Sequence, residues 1–212
     1  FIMGKVVAFS NQKGGSGKST LSANIAVLWS NSGYKVAVID ADQQKSLTFW
    51  LSERKKYYGA DDVGIDAYSF ETRNLSEEIK KIKKKYDFII IDSPPAITFD
   101  TVQIIKVSNG LFVPVQPSPL DLMATLPFLQ IAREEKKKPL IILNRVMPRA
   151  KLTDAMILRL RYSGGKIARS RISSKVIFAE TFTVGRGVID INITSDAAKE
   201  IINVGNEILR NL

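Results

Sequence analysis

Five short apolar runs recur along the chain: Lys5–Ser10 (KVVAFS), Lys35–Asp40 (KVAVID), Asp87–Asp92 (DFIIID), Gly110–Val115 (GLFVPV) and Pro139–Asn144 (PLIILN). They are rich in Val and Ile and barely alternate, the pattern of strands covered on both faces. Between them the apolar positions take helical spacing. Leu21, Ile25, Leu28 and Trp29 predict the buried stripe of one helix. Leu75, Ile79, Ile82 and Tyr86 predict another, with Asn74 and Glu77 spaced as a capping box. Strand and helix in alternation imply right-handed crossovers, hence a doubly wound α/β domain with a mostly parallel sheet and helices on both faces. Beyond Asn144 the pattern loosens. Thr153–Tyr162 reads as helical, and Asp196–Leu212 carries a last stripe of Ile201, Ile202, Ile208 and Leu209. No repeat, low-complexity tract or linker interrupts the chain, so one domain over residues 3–212 is expected, with Phe1 and Ile2 left outside the fold.

The apolar runs end in polar residues: Asn11, Asp40, Asp92 and Asn144. In a doubly wound sheet these gather along the carboxyl edge, where ligands bind. The segment after the first run, Asn11–Thr20 (NQKGGSGKST), then takes on meaning. A strand, a glycine-rich turn and a helix opening near Ser19 make a phosphate cradle over Gly14, Gly15, Ser16, Gly17, Lys18, Ser19 and Thr20. The glycines let backbone N–H groups converge on an anion. Lys18 can reach β- and γ-phosphates, and the Ser19 hydroxyl can join a Mg²⁺ shell. The segment departs from G-x-x-x-x-G-K-[ST] at Gln12, and it carries an additional lysine, Lys13.

Composition narrows the chemistry. The 212 residues contain neither cysteine nor histidine, so disulfides, thiolate or imidazole metal sites and a histidine base are excluded. Carboxylates, lysines, hydroxyls and backbone amides remain. Mg²⁺ prefers oxygen ligands, and Asp92 and Asp40, at the ends of neighbouring strands, suit a metal contact. Asp42 lies slightly beyond its strand, where a carboxylate orients an attacking water. No apolar run has the length of a bilayer span and no signal peptide is evident, so a cytoplasmic protein without membrane attachment is expected. The formal charge of +10 points to a polyanionic partner. Nine basic residues lie between Arg149 and Arg186, opposed only by Asp154 and Glu180, and give that segment +7. Lys166, Arg169, Arg171 and Lys175 are its central members and the candidate contacts for such a polyanion, which the resemblance described below implies to be DNA.

The string K-G-G-x-G-K-[ST] resembles the deviant Walker A motif of the ParA/MinD family of ATPases. The likeness extends to Asp40–Gln44 (DADQQ), similar to the family's D-x-D-P-Q, with Gln43 where proline is usual. Phe88–Pro95 (FIIIDSPP) resembles the family's Walker B strand and switch loop, and Val113–Leu122 (VPVQPSPLDL) its proline-containing loop. The resemblance implies ATP and Mg²⁺ as cofactors, and a Lys13 that reaches across a nucleotide-sandwich homodimer. It also implies hydrolysis that depends on Asp42 and an Asn144 that contacts adenine. The short length, without an N-terminal DNA-binding extension, looks most like the small plasmid-type partition ATPases. These imply non-specific double-stranded DNA and a ParB-like centromere-binding protein as partners, and a nucleoid-associated location. The alternatives are a MinD-like positioning ATPase and a nucleotide-dependent binding switch with negligible turnover. The former would need a basic amphipathic last helix, yet that segment offers Lys199 and Arg210 against Glu200 and Glu207.

Overall fold

The computed structural model of the chain describes residues 3–70, 72–148 and 154–212. Seven strands are present among the described residues, against five expected: β1 (Lys5–Phe9), β2 (Val36–Asp40), β3 (Ile65–Tyr68), β4 (Phe88–Asp92), β5 (Gly110–Val115), β6 (Leu140–Val146) and β7 (Lys166–Ser173). They form one sheet in the order β3-β2-β4-β1-β5-β6-β7, and every pairing is parallel. The two unforeseen strands are the two edges. β3 buries only Ile65, and β7 carries Lys166, Arg169 and Arg171, so neither shows the continuous apolar run of a central strand.

Successive residues of each central strand feed opposite layers, as the two-residue period of a strand requires. Val7 and Phe9 of β1 pack under α1 (Lys18–Asn31), α2 (Ser46–Tyr58), α7 (Ile177–Thr183), α8 (Val188–Ile191) and α9 (Asp196–Leu209). Val6 and Ala8 pack under α3 (Leu75–Ile82), α4 (Phe99–Val107), α5 (Pro119–Glu134) and α6 (Asp154–Tyr162). The doubly wound fold is thus the one expected.

Two local expectations need correction. α1 is buried over most of its circumference, with Ala23, Ala26 and Val27 as enclosed as Leu21 and Ile25. It lies between the sheet and four helices of its own layer, so it has no solvated face to contrast with a stripe. The stripe Leu75, Ile79, Ile82 and Tyr86 is buried as expected, but the capping box does not form. A 3-10 turn over Thr72–Asn74 leads directly into α3, and Asn74 makes no side-chain cap.

The exposed edge of β7 is closed by carboxylates of α9. Glu207 accepts from the backbone N–H groups of Arg169 and Ser170, each at 2.8 Å. Glu200 accepts from Ser173 N (3.0 Å) and Oγ (2.7 Å). Burial alone would raise both pKa values. The β7 donors, joined at Glu200 by the Lys175 ammonium, outweigh it and hold both glutamates below the usual range.

Candidate functional site

The glycine loop joins the carboxyl end of central β1 to α1, and residues in or just past β5 and in β6 fix it. Gly15 (φ 72°) and Gly17 (φ 97°) take left-handed backbone, open to glycine without strain. The Asn144 amide, two residues before the end of β6, which runs on to Val146 rather than stopping at Asn144, donates to Ser16 O at 2.7 Å. A Cβ on Gly17 would collide with that same nitrogen. Gln116, just past β5, donates to Gly15 O at 3.0 Å. Asn11 is fully enclosed; its Nδ2 donates to Pro114 O at 2.8 Å, and its Oδ1 accepts from Lys13 N at 3.2 Å. Asn11 lies at the strand edge where its position after an apolar run predicts it, whereas the bracing by Gln116 carries no signal in a motif.

The loop faces a cavity of about 260 Å³ lined by Gly14, Gly15, Lys18, Ser19, Thr20 and Asp42, among others. Lys18 is 5% exposed, and its ammonium donates to Lys13 O at 3.4 Å. Burial lowers its pKa, while Asp92 and Asp42 favour the charged form. Asp92, at the end of β4, has no solvent exposure, and neither carboxylate oxygen receives a hydrogen bond. Burial pushes its pKa up to about 7, and Asp40 and Asp42 add to the rise. The Ser19 hydroxyl and Lys18 lie close enough to oppose that rise, but only in part.

The two aspartates of β2 and its loop differ in their hydrogen bonds. Asp40 Oδ2 accepts from Thr48 N (2.8 Å) and Oγ1 (2.9 Å), and Oδ1 from Asp42 N at 3.2 Å. Both its oxygens are therefore engaged, Oδ2 with α2 and Oδ1 within the loop itself. Asp42 lines the cavity and spends one oxygen on Gln44 N at 3.0 Å. These bonds, with Lys45 Nζ on Asp40 O at 2.9 Å, brace the turn in which Gln43 stands for proline.

Three sets of buried polar atoms near the loop lack protein partners among the described residues: Ser16 Oγ, Gln12 Oε1 and both oxygens of Asp92. Such orphans are costly unless a ligand completes them. No group of three or more acidic side chains is gathered for a metal among the described residues. Mg²⁺ is held by one or two protein oxygens and takes the rest from phosphates and water, and the partnerless Asp92 carboxylate is such a donor. The donor set therefore suits a Mg²⁺-nucleotide, with Ser19 and Asp92 on the metal side.

A second cavity of about 290 Å³ adjoins the first, and Gly17, Thr20 and Arg145 line both. Asn144, Ile172, Lys175 and Phe178 contribute to its walls. Asn144 lines this cavity, and its amide nitrogen is committed to the loop. Lys13 is half-buried, does not line the loop's own cavity, and has no side-chain partner among the described residues.

The basic segment does not form one patch. Arg149 and Lys151 lie outside the described residues. Arg186 belongs to another face: its guanidinium lies over the Tyr57 ring, donates to Tyr57 Oη at 2.9 Å and bonds Asp190 O. Lys175 is paired with Glu200 at 2.6 Å, and Lys166 donates to Asn211 Oδ1 at 2.8 Å. Arg169 and Arg171 stay exposed, two residues apart on one strand. The opposing glutamates were invisible in the segment because α9 supplies them from later in the chain.

A parallel doubly wound sheet, a glycine loop at the end of its central strand, and a lysine between two aspartates define a P-loop nucleotide-binding protein. The chain belongs to the CobQ/CobB/MinD/ParA nucleotide binding domain family, which matches residues 7–186. It is 30% identical to the maintenance of carboxysome distribution protein A of Halothiobacillus neapolitanus, over 96% of this chain and 95% of that one. The fold matches the ATP complex of a McdA variant of Cyanothece, with a TM-score of 0.79 at 18% identity over 96% and 95% of the chains. It also matches the cell division ATPase MinD of Pyrococcus furiosus, with a TM-score of 0.81 at 20% identity over 99% and 100%.

Proposed function

We propose that the protein is a Mg²⁺-dependent partition ATPase that dimerises on ATP and binds duplex DNA without sequence preference. A ParB-like centromere-binding protein would stimulate its hydrolysis and so release it. The observation that carries this reading is the split between two lysines of one loop. Lys18 is drawn into the loop's own cavity between Asp92 and Asp42, whereas Lys13 stays outside it.

In this reading the loop N–H groups and Lys18 hold the β- and γ-phosphates, and Asp42 orients the attacking water. Mg²⁺ on Ser19 and Asp92 would neutralise charge on the phosphate oxygens. Asp40 acts indirectly, by holding the Asp42 loop on α2. Lys13 of each copy contacts the nucleotide of the other. Support for a covered face comes from Leu120 (72% exposed) and Met123 (63%), apolar side chains one turn apart at the start of α5. That helix begins just after Gln116, which is bonded to the glycine loop. Exposed Arg169 and Arg171 are the best-placed DNA contacts.

A second reading, a positioning ATPase for a large protein cargo, is favoured by the likeness to the carboxysome distribution protein. It shares the ATP switch and differs in what the switch carries. A third, a binding switch without turnover, is separated from both by phosphate release. Purified protein with Mg²⁺-ATP and duplex DNA should release phosphate slowly, and Asp42→Ala should release almost none while still binding ATP. Equal release by the two proteins would remove Asp42 from the chemistry; no release by either would leave only the switch.

A further inference from the structure

β6 carries a local defect at the edge of the nucleotide cavities. Its pairing with β7 runs Leu143↔Arg171 and then Val146↔Ser173, so β6 takes three steps where β7 takes two. The additional residue falls at Asn144–Arg145. Bulges of this kind bend a strand and re-aim a side chain, and they recur beside functional sites. Arg145 is also the single exposed residue of an otherwise buried strand. Its backbone sits at φ 52°, left-handed space that a non-glycine residue occupies at a cost. The bulge and the backbone together turn its side chain out of the strand, to the seam where the two cavities meet. No carboxylate pairs with the Arg145 guanidinium among the described residues.

A nucleotide with its β- and γ-phosphates on the glycine loop and its base in the second cavity places the α-phosphate and ribose at that seam. We infer that Arg145 is a nucleotide-binding residue that holds the α-phosphate. This rests on the nucleotide reading above. A planar guanidinium suits the task, since it binds phosphate by two parallel hydrogen bonds. The strained backbone is then retained for the aim it gives the side chain.

The contact is shared by di- and triphosphates, which sets it apart from Lys18. Isothermal titration with Mg²⁺-ATPγS and Mg²⁺-ADP should show Arg145→Ala weakened for both ligands by the same factor, roughly 10- to 100-fold. Arg145→Lys should recover part of the loss. Arg145→Gly, which suits the left-handed backbone, should bind as poorly as Arg145→Ala while its thermal midpoint equals or exceeds wild type. Wild-type affinity in Arg145→Ala, or a loss confined to ATPγS, would overturn the inference while leaving nucleotide binding itself intact. Failure of the unaltered protein to bind either ligand would overturn both.

Discussion

Asn144 Nδ2 stands 2.7 Å from the carbonyl oxygen of Ser16, in the space that a side chain on Gly17 would need. One amide therefore ties β6 to the glycine loop and sets its closest packing. Asn144→Ala removes the donor and leaves a buried carbonyl unmatched, which should cost about 1 to 2 kcal/mol of stability and weaken nucleotide binding. Gly17→Ala should be worse for the site, because it adds the collision to a backbone at φ 97°. Thermal unfolding and ligand titration check both. Unaltered binding in the two variants would mean that the loop does not need this brace.

The two loop lysines should fail differently. Lys18→Ala should lose nucleotide affinity, since the β- and γ-phosphates lose their nearest ammonium. Lys13→Ala should still bind ATP as a monomer and yet neither dimerise nor hydrolyse it. Sedimentation velocity with ATP separates the two. Wild-type dimers of Lys13→Ala would refute a contact across the interface.

Asp92 makes the unliganded protein sensitive to pH. Its folded pKa, about 7, lies above the unfolded value near 3.8. Between those values the folded state holds a proton that the unfolded state has released. Stability should therefore fall as pH rises from about 5 to 8, and level off once Asp92 is charged in both states. Asp92→Asn removes the buried charge, so it should flatten this profile and exceed wild type in stability above pH 7. The same change should abolish any Mg²⁺ dependence of nucleotide binding. Denaturant unfolding at successive pH values is the check, and a wild-type profile that rises from pH 5 to 8 would contradict the assignment.

The basic residues around β7 should separate by their partners. Each phosphate contact contributes roughly −0.9 to the slope of log affinity against log salt. Reversing Arg169 or Arg171 to Glu should flatten that slope by about two units in a dimer, on all sequences alike. Lys175→Glu should act first on stability, because it faces Glu200 with a like charge. Salt titrations of DNA binding, run beside thermal melts, tell the two effects apart. Unchanged slopes in the arginine variants would leave β7 an ordinary solvated edge.

The sequence made the centre of this molecule legible and its margins obscure, for one physical cause. Strands β1, β2, β4, β5 and β6 are buried on both faces, so their apolar runs announce them. β3 and β7 are edges, and one of them is basic. The glycine loop, Lys18, Ser19, Asp42 and Asp92 could be read from motif chemistry. What holds them could not: Gln116 on Gly15, Asn144 on Ser16, and Asp40 on Thr48 are contacts between distant segments. Nor could the spacing of charges along the chain show that Glu200 and Glu207 lie against β7.

A DNA affinity that ATP switches on is the central property proposed for this protein. The direct test is binding of a random-sequence duplex by the unaltered protein with Mg²⁺-ATP, with Mg²⁺-ADP and without nucleotide, at two salt concentrations. Tight, salt-sensitive binding with ATP, and at most weak binding in the other two conditions, is the predicted result. Equal binding in all three, or none in any, would contradict an ATP-assembled DNA-binding dimer.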